Sequence, residues 1–291
     1  MLCLFSHFTM KRLFFPCLVL LVVSCKKSDI NEQSLPAAIL TNVSYSTDAS
    51  QKMDVYLPAG RNADSTKLMV LVHGGAWISG DKSDFTLFIP VIQQRFPGYA
   101  IVNINYRLAT PTIHHFPTQE NDMKAALDYL IQKSGEYKVS QKFVLLGASA
   151  GAHMALLQAY KYSSPKILAV VDFFGPTDMT DLYNFHSSDP NNQLLLHLLM
   201  SGTPVSNASL YAQSSPLNFI TAQSSPTIIF HGSMDDVVPI KESTALKNRL
   251  SSFGVINEMT SYPNVGHEIW SENIMRDVYD KMERFIKTNV H

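Results

Sequence analysis

Continuous runs of apolar residues recur along the chain, and the segments between them show a different, helical spacing. A short apolar run is typical of a strand buried on both faces, as in a parallel sheet. One early segment alternates apolar and polar residues instead and ends at Pro58, as a half-buried strand does. The predicted strands are Lys52–Leu57, Leu68–Val72, Tyr99–Asn105, Phe143–Leu146, Ile167–Phe173, Thr227–Phe230 and Glu258–Ser261.

The segments between the strands predict helices. In Gln119–Gln132, for example, apolar residues recur every three or four positions and form one stripe. The other predicted helices are Ala150–Tyr160, Ser243–Leu250 and Asn273–Ile286. Regular alternation of strand and helix predicts an α/β fold, with a mostly parallel central sheet and helices on both of its faces.

One stretch, Asp181–Leu217, interrupts this alternation. It holds loop-forming residues and a single apolar segment, Leu194–Met200. We expect this stretch to be a small insertion over the C-terminal end of the sheet. The rest of residues 39–291 then forms one domain.

The first residues have the layout of an export signal. Lys11 and Arg12 precede an apolar run at residues 13–23, which is shorter than the about 20 residues that span a bilayer. The run ends in V-V-S-C at residues 22–25, which resembles the bacterial lipobox. That resemblance implies a signal peptide at residues 1–24, lipidation of Cys25 and a tether at residues 25–38. The alternative is an ordinary signal peptide with an incidental cysteine.

The expected location is the bacterial cell envelope, with the protein held at a membrane by lipid on Cys25. Lys26 stands where an Asp would resemble an inner-membrane retention signal, which favours the outer membrane. The other two cysteines, Cys3 and Cys17, lie in the signal peptide. The exported chain therefore has no cysteine pair for a disulfide, and its core must hold it together unaided.

The overall composition excludes two classes of protein. Hydrophobic residues make up 46% of the chain and charged residues 16%, which is unlike a disordered protein. The formal net charge is −1, without the basic excess that nucleic-acid binders usually carry. We therefore expect no nucleic-acid partner.

The motif G-A-S-A-G at residues 147–151 lies between a predicted buried strand and a predicted helix. In a nucleophile elbow the serine sits on a strained strand-to-helix turn, so the residues around it must be small. Ser149 is the candidate nucleophile. The alternative interpretation is a glycine-rich turn with a serine that caps the helix.

A second motif, H-G-G-A-W at residues 73–77, directly follows the strand Leu68–Val72. Acyl transfer needs backbone N–H groups aimed at the oxyanion of the tetrahedral intermediate. The amides of Gly74, Gly75 and Ala150 are the candidates for this oxyanion hole. A simple Gly-Gly turn is the alternative.

Candidates for the acid and the base follow two later strands. Asp235 follows the strand Thr227–Phe230, and His267 follows Glu258–Ser261. The chain order Ser, Asp, His is that of the α/β-hydrolase triad. His267 would take the proton of Ser149, and Asp235 would orient the imidazole. Asp236 is the rival acid.

Through these motifs the chain resembles the α/β-hydrolases of the esterase and lipase type. The nearest branches are the hormone-sensitive-lipase-like and the bacterial feruloyl- and acetylxylan-esterase-like ones. In that family the acid is the fourth residue after the His of the HG pair, which here is Asp235. The matching segments are DVYLP at 54–58, HGGAW at 73–77, NYR at 105–107, GASAG at 147–151, GPTD at 175–178, HGSMDDVVP at 231–239 and GH at 266–267.

The resemblance implies a serine carboxylesterase that needs no metal and no organic cofactor. It would hydrolyse short-chain or aryl esters, including acyl substituents of polysaccharide fragments, through an acyl-Ser149 intermediate. The expected partner is thus a small-molecule or oligosaccharide ester. Trp77 is the candidate substrate-binding residue, and aromatic residues of the insertion either line the same pocket or pack in the core: Tyr183, Phe185 and Tyr211.

Two other functions stay open. One is arylformamidase-like hydrolysis of amides, since HGG-x-W also occurs in such enzymes; the export signal argues against it. The other, from a different class, is a catalytically silent glycan-binding surface lipoprotein. Silent members of the fold typically lose a triad residue or the oxyanion glycines, and all of these are present here.

Overall fold

The computed structural model describes residue 2, residues 35–267 and residues 270–291. The described residues from Leu35 onward belong to one compact unit. The predicted signal peptide, Cys25 and most of the predicted tether lie outside the described residues. Within the described part of the chain, no helix combines the length and the apolar character needed to cross a membrane.

Eight strands of the described chain form one sheet, in the order β1-β2-β4-β3-β5-β6-β7-β8. β2 runs antiparallel to both of its neighbours, β1 and β4. The other neighbouring pairs of this sheet are all parallel. The predicted mostly parallel sheet is thus confirmed. The strands are β1 (Ala38–Ser44), β2 (Lys52–Leu57), β3 (Lys67–Val72), β4 (Tyr99–Ile104), β5 (Phe143–Ala148), β6 (Ile167–Phe173), β7 (Thr227–Gly232) and β8 (Asn257–Tyr262).

Helices connect the strands and cover both faces of the sheet. Three short helices, α4 to α6, occupy the predicted insertion between β6 and β7, where the sequence indicated only one apolar segment. The α-helices of the described residues are α1 (Ile89–Arg95), α2 (Thr118–Tyr137), α3 (Ala150–Lys161), α4 (Met179–Phe185), α5 (Pro190–Leu199), α6 (Ala208–Gln213), α7 (Lys241–Ser252) and α8 (Glu272–Asn289).

The alternation of side chains along the central strands divides the core into two layers. In β3, Leu68, Val70 and Val72 pack in the layer that also holds buried residues of α2, α3 and α7. Met69 and Leu71 point to the opposite layer, with α1 and α8. Successive residues of a strand face opposite sides, so a continuous apolar run is what a sheet covered on both faces requires.

Outside the insertion, the strand β1 and the helix α1 were not predicted from the sequence. β1 is an edge strand with exposed and half-buried residues and no apolar run. It begins at Ala38, the last residue of the predicted tether, and the carbonyl of Leu35 already accepts a hydrogen bond from the amide of Gly60 at 2.8 Å. The helix α1 has only seven residues and buries just two of them, Ile89 and Ile92, which is too short a pattern to recognise.

A buried carboxyl group lies near the C-terminal end of β6. Asp172 is fully buried, and its Oδ1 accepts a hydrogen bond from the amide of Gly175 at 2.8 Å. Among the described residues its Oδ2 has no hydrogen-bond partner. Burial raises the pKa of Asp172 to about 7, and the Gly175 amide and the nearby His231 oppose that rise only in part.

This raised pKa predicts that the protein loses stability as the pH rises. In the unfolded chain the carboxyl ionises near its ordinary pKa of 3.8, whereas in the fold it stays protonated until about pH 7. The contribution of Asp172 to the free energy of unfolding is therefore complete below pH 3.8. It decreases by up to about 1.4 kcal/mol per pH unit as the pH rises towards 7. The measurement is the free energy of unfolding in urea at pH 5, 6, 7 and 8.

The variant Asp172→Asn isolates the effect of this carboxyl group on the pH dependence of stability. The amide oxygen of the new side chain can still accept the hydrogen bond from the Gly175 amide. We expect a flatter decrease of the unfolding free energy with pH. Some slope remains, since burial also raises the pKa of Glu242 to about 7. Equal slopes in the variant and the wild type would contradict the prediction.

Candidate active site

The turn between β5 and α3 carries Ser149 in a strained backbone conformation. Its φ is 53° and its ψ −120°, a combination that residues with a side chain rarely adopt. Neighbouring glycines make the turn possible: a Cβ on Gly147 would collide with the backbone of Gly151, and a Cβ on Gly151 would collide with the carbonyl of Val72. The turn thus has the geometry of a nucleophile elbow, with the helix N-terminus directly behind the serine.

Hydrogen bonds join Ser149, His267 and Asp235 in one series. The Nε2 of His267 lies 2.9 Å from the Ser149 Oγ, and its Nδ1 lies 2.7 Å from the Asp235 Oδ2. An ionised carboxylate only accepts, so Nδ1 carries the proton and donates to Asp235. In the neutral imidazole Nε2 is then free to accept the Ser149 hydroxyl proton, which is the direction that a general base requires.

The acid of this series is Asp235 and not its neighbour. Asp235 is buried, and its Oδ1 accepts hydrogen bonds from the amides of Val237 and Val238 at 2.9 and 2.8 Å. Burial alone would raise the pKa of Asp235, but hydrogen bonds from His231, His267 and the backbone outweigh it and hold the pKa well below its usual range. Asp236 is exposed to solvent. The carboxylate that meets His267 is therefore charged at neutral pH.

His231 supports Asp235 from the side opposite His267. Its Nε2 lies 2.8 Å from the carbonyl of Val238 and 3.2 Å from the Asp235 Oδ2. Both oxygens only accept, so Nε2 carries the proton; in the neutral imidazole, Nδ1 then accepts from the Ser243 hydroxyl, which lies 2.7 Å away. The sequence analysis gave His231 no role of its own and used it only to locate Asp235, the fourth residue after it. The available signal was its place at the end of a strand, four residues before Asp235.

The three expected oxyanion-hole amides lie around the elbow. Gly74 packs so closely that a Cβ would come within 3.1 Å of the Ala148 carbonyl, and Ala150 is the first residue of α3. Gly75 has a φ of +99°, which favours glycine. Among the hydrogen bonds of the described chain, none uses the amides of Gly74, Gly75 or Ala150 as donor. These amides are available to an oxyanion beside Ser149.

A cavity of about 350 Å³ opens beside Ser149, and its wall is largely apolar, with an aromatic part. Ser149, His267, Gly74 and Gly75 line one end of it. Its aromatic wall was not foreseen from the sequence; the insertion residues Tyr183, Phe185 and Tyr211 are not among its lining residues. The aromatic residues that do line it are Phe85, Phe88, Phe173, Phe174, Trp270 and Tyr279.

A second, smaller cavity of about 40 Å³ also touches Ser149. Trp77, the predicted substrate-binding residue, lines this cavity and not the large one. Its side chain is buried, and its ring meets the ring of His153 edge-on at 5.2 Å. The remaining lining residues come from the loops after β3, β6 and β7 and from the insertion: Ala76, Pro176, Leu182, His186, Asn192, Leu195, Leu196, Val237 and Val238.

The described histidine and carboxylate side chains form no candidate metal site. Within residues 35–267 and 270–291, no group of three or more His, Cys, Asp or Glu side chains is arranged to hold a metal ion. His153, which follows Ser149 by one helical turn, is fully buried and its Nε2 lies 2.6 Å from the carbonyl of Ser214. His153 thus has a hydrogen-bonding role in the core.

The sheet order and the Ser149–His267–Asp235 series define this protein as an α/β-hydrolase by fold. It belongs to the BD-FAE family, whose model matches residues 53–250. Among curated proteins it is similar to Esterase LipQ of Mycobacterium tuberculosis, with 26% identity over 226 residues, covering 72% of this chain and 51% of the relative. The chain thus spans about half the length of that relative.

Solved structures show the same fold. A bifunctional GH43-CE of Bacteroides eggerthii superposes with a TM-score of 0.73 and 27% identity, over 85% of this chain and 38% of that one. A truncated carbohydrate esterase from gut microbiota superposes with a TM-score of 0.69 and 22% identity, over 87% of this chain and 98% of that one. The described fold therefore matches nearly the whole of that esterase structure.

Gly151 allows a test of the close packing between the elbow and the end of β3. In Gly151→Ala the new methyl group meets the Val72 carbonyl, so we expect the free energy of unfolding to fall by at least about 2 kcal/mol. Gly135 is the matched control, because it is also helical and nothing lies within 4 Å of a Cβ there. Gly135→Ala should stabilise by about 0.5–1 kcal/mol.

Urea unfolding of both variants beside the wild type gives the comparison. A Gly151→Ala protein as stable as the wild type would show that the elbow relaxes to admit the methyl group, and would contradict the prediction.

Proposed function

We propose that the protein is a serine carboxylesterase that works through an acyl-Ser149 intermediate. The observation that carries this proposal is the hydrogen-bonded series from Ser149 through His267 to the charged Asp235, on a strained elbow beside three available amides. These are the groups that acyl transfer requires: a nucleophile, a base, an orienting acid and oxyanion donors.

In the proposed reaction, His267 Nε2 accepts the proton of Ser149 as Oγ attacks the ester carbonyl carbon. The carbonyl oxygen becomes an oxyanion and accepts hydrogen bonds from the amides of Gly74, Gly75 and Ala150. His267 then donates its proton to the alcohol oxygen, the C–O bond breaks and the acyl group stays on Ser149. Water then attacks the acyl carbon while His267 Nε2 accepts its proton. His267 donates this proton to the Ser149 Oγ, the bond between Oγ and the acyl carbon breaks, and the carboxylic acid is released. The Asp235 carboxylate stabilises the imidazolium in both halves.

The substrate is proposed to be a short-chain or aryl ester, with acyl esters of polysaccharide fragments as the physiological class. The aromatic wall of the large cavity supports an apolar or ring-shaped group on the substrate, because flat rings stack on aromatic side chains. The similarity to proteins named GH43-CE and carbohydrate esterase supports the polysaccharide context. The expected chemistry needs neither metal nor organic cofactor.

The first test is hydrolysis by the full-length protein of a panel that separates the alternatives. It contains nitrophenyl acetate, butyrate and octanoate, methyl ferulate, acetylated xylan and N-formylkynurenine. We expect ester turnover that Ser149→Ala reduces by at least about 10³-fold. A preference for N-formylkynurenine would replace the esterase with the amide hydrolase. Glycan binding without Ser149-dependent turnover would favour the silent binding protein.

The neighbouring aspartates provide a matched pair for the acid. Asp235→Asn keeps the side-chain shape but removes the charge and favours the wrong His267 tautomer, so we expect kcat/KM to fall by about 10⁴-fold. Asp236→Asn changes an exposed carboxylate and should leave kcat/KM within about two-fold. Initial rates on nitrophenyl butyrate measure both. A comparable loss in Asp236→Asn would argue against Asp235 as the acid.

We further propose that lipid on Cys25 anchors the protein in the bacterial envelope, at the outer membrane. The support is the sequence V-V-S-C at residues 22–25 behind a basic and then apolar segment. In bacterial cells fed labelled palmitate, Cys25→Ser should abolish labelling and release the protein from the membrane fraction. Cys17→Ser is the matched control and should keep both. Labelled Cys25→Ser protein would contradict the proposal.

A further inference from the structure

We propose that the small cavity binds the acyl group of the ester and the large cavity binds its alcohol group. The preferred substrate class is then an acetyl or propionyl ester of a bulky alcohol with an apolar, ring-shaped body. This inference rests on the proposed esterase function and goes further by assigning each half of the ester to a different side of Ser149.

The assignment follows from where the proton must go. When the tetrahedral intermediate collapses, His267 delivers its proton to the alcohol oxygen, so the alcohol group lies on the His267 side of Ser149. The acyl substituent occupies another corner of the tetrahedron, away from the imidazole. His267 and Ser149 both line the large cavity, whereas the small cavity is lined by Ser149 without His267.

The two volumes then set the sizes of the two halves. A cavity of about 40 Å³ has room for the methyl or ethyl group of an acetyl or propionyl ester, since about 10–15 Å³ already holds one water molecule. The large cavity, about 350 Å³, is within the range of sites that bind drug-sized molecules. It therefore accepts a one- or two-ring alcohol.

Residues of the insertion line part of the small cavity. Leu182 on α4 and Leu196 on α5 are buried in the core, so the cavity cannot lengthen there without repacking. Leu195, also on α5, lines the cavity but is only partly buried. It is the residue whose truncation most simply extends the cavity. Leu194 beside it is 56% exposed, and it lines neither cavity.

A pair of isomeric esters tests the assignment directly. Benzyl acetate has a small acyl group and a bulky alcohol, and methyl phenylacetate has the reverse, with alcohols of similar acidity. We expect kcat/KM of the full-length protein to be at least about 10-fold higher for benzyl acetate, and to fall from benzyl propionate to benzyl butyrate and hexanoate. Equal rates, or a preference for methyl phenylacetate, would overturn the assignment.

The failure of this inference is distinguishable from that of the esterase proposal. Ser149-dependent turnover with the reversed preference removes the assignment and leaves the esterase intact. The absence of Ser149-dependent turnover on these esters and on the whole earlier panel overturns both.

The paired leucines identify the cavity that holds the acyl chain. Leu195→Ala should raise the ratio of kcat/KM for benzyl butyrate over benzyl acetate by at least about 5-fold, because the cavity gains room for two more carbons. Leu194→Ala should leave that ratio within about two-fold. If Leu195→Ala leaves the ratio unchanged in a variant whose urea unfolding shows that it is folded, the acyl group lies elsewhere and the assignment is wrong.

Discussion

The close approach of the start of α3 to the end of β3 is the constraint on which the site depends. Gly151 presses against the Val72 carbonyl, and Gly147 presses against Gly151, so neither position has room for a side chain. This contact places the α3 N-terminus directly behind β5 and forces Ser149 into its strained turn. It also brings the loop of Gly74 to the elbow, so the nucleophile and the oxyanion donors are fixed by the same packing.

The charge that contacts His267 is the carboxylate of Asp235. Asp235 is held as a carboxylate by four hydrogen-bond donors, two backbone amides and two imidazoles. The Nε2 proton of His231 faces two acceptors, the Val238 carbonyl and the Asp235 carboxylate, and burial keeps Asp172 protonated up to about pH 7. Below about pH 7 the buried end of β6 therefore adds no second negative charge. This is the electrostatic setting in which an imidazolium is most strongly stabilised.

Much of the fold could be predicted from the sequence because buried strands and motif spacing are local signals. β2 and β6 have the predicted bounds, and the chain order of Ser149, Asp235 and His267 anticipated which side chains meet. The aromatic wall could not be predicted. Its residues come from three distant segments. Hydrophobic periodicity indicates which residues are buried, but not which cavity they line. Tyr211 illustrates this, because it is fully buried and its hydroxyl donates to the Gly202 carbonyl.

The two cavities beside Ser149 are built from almost separate stretches of chain. The small one draws on α4 and α5 of the insertion, whereas the large one draws on the segment around α1 and on α8. Insertions and substitutions in α4 and α5 can therefore reshape one side of the nucleophile while the opposite side stays unchanged. Such a modular layout lets a lineage of these proteins diversify each half of its ligand independently, without disturbing the catalytic elbow they share.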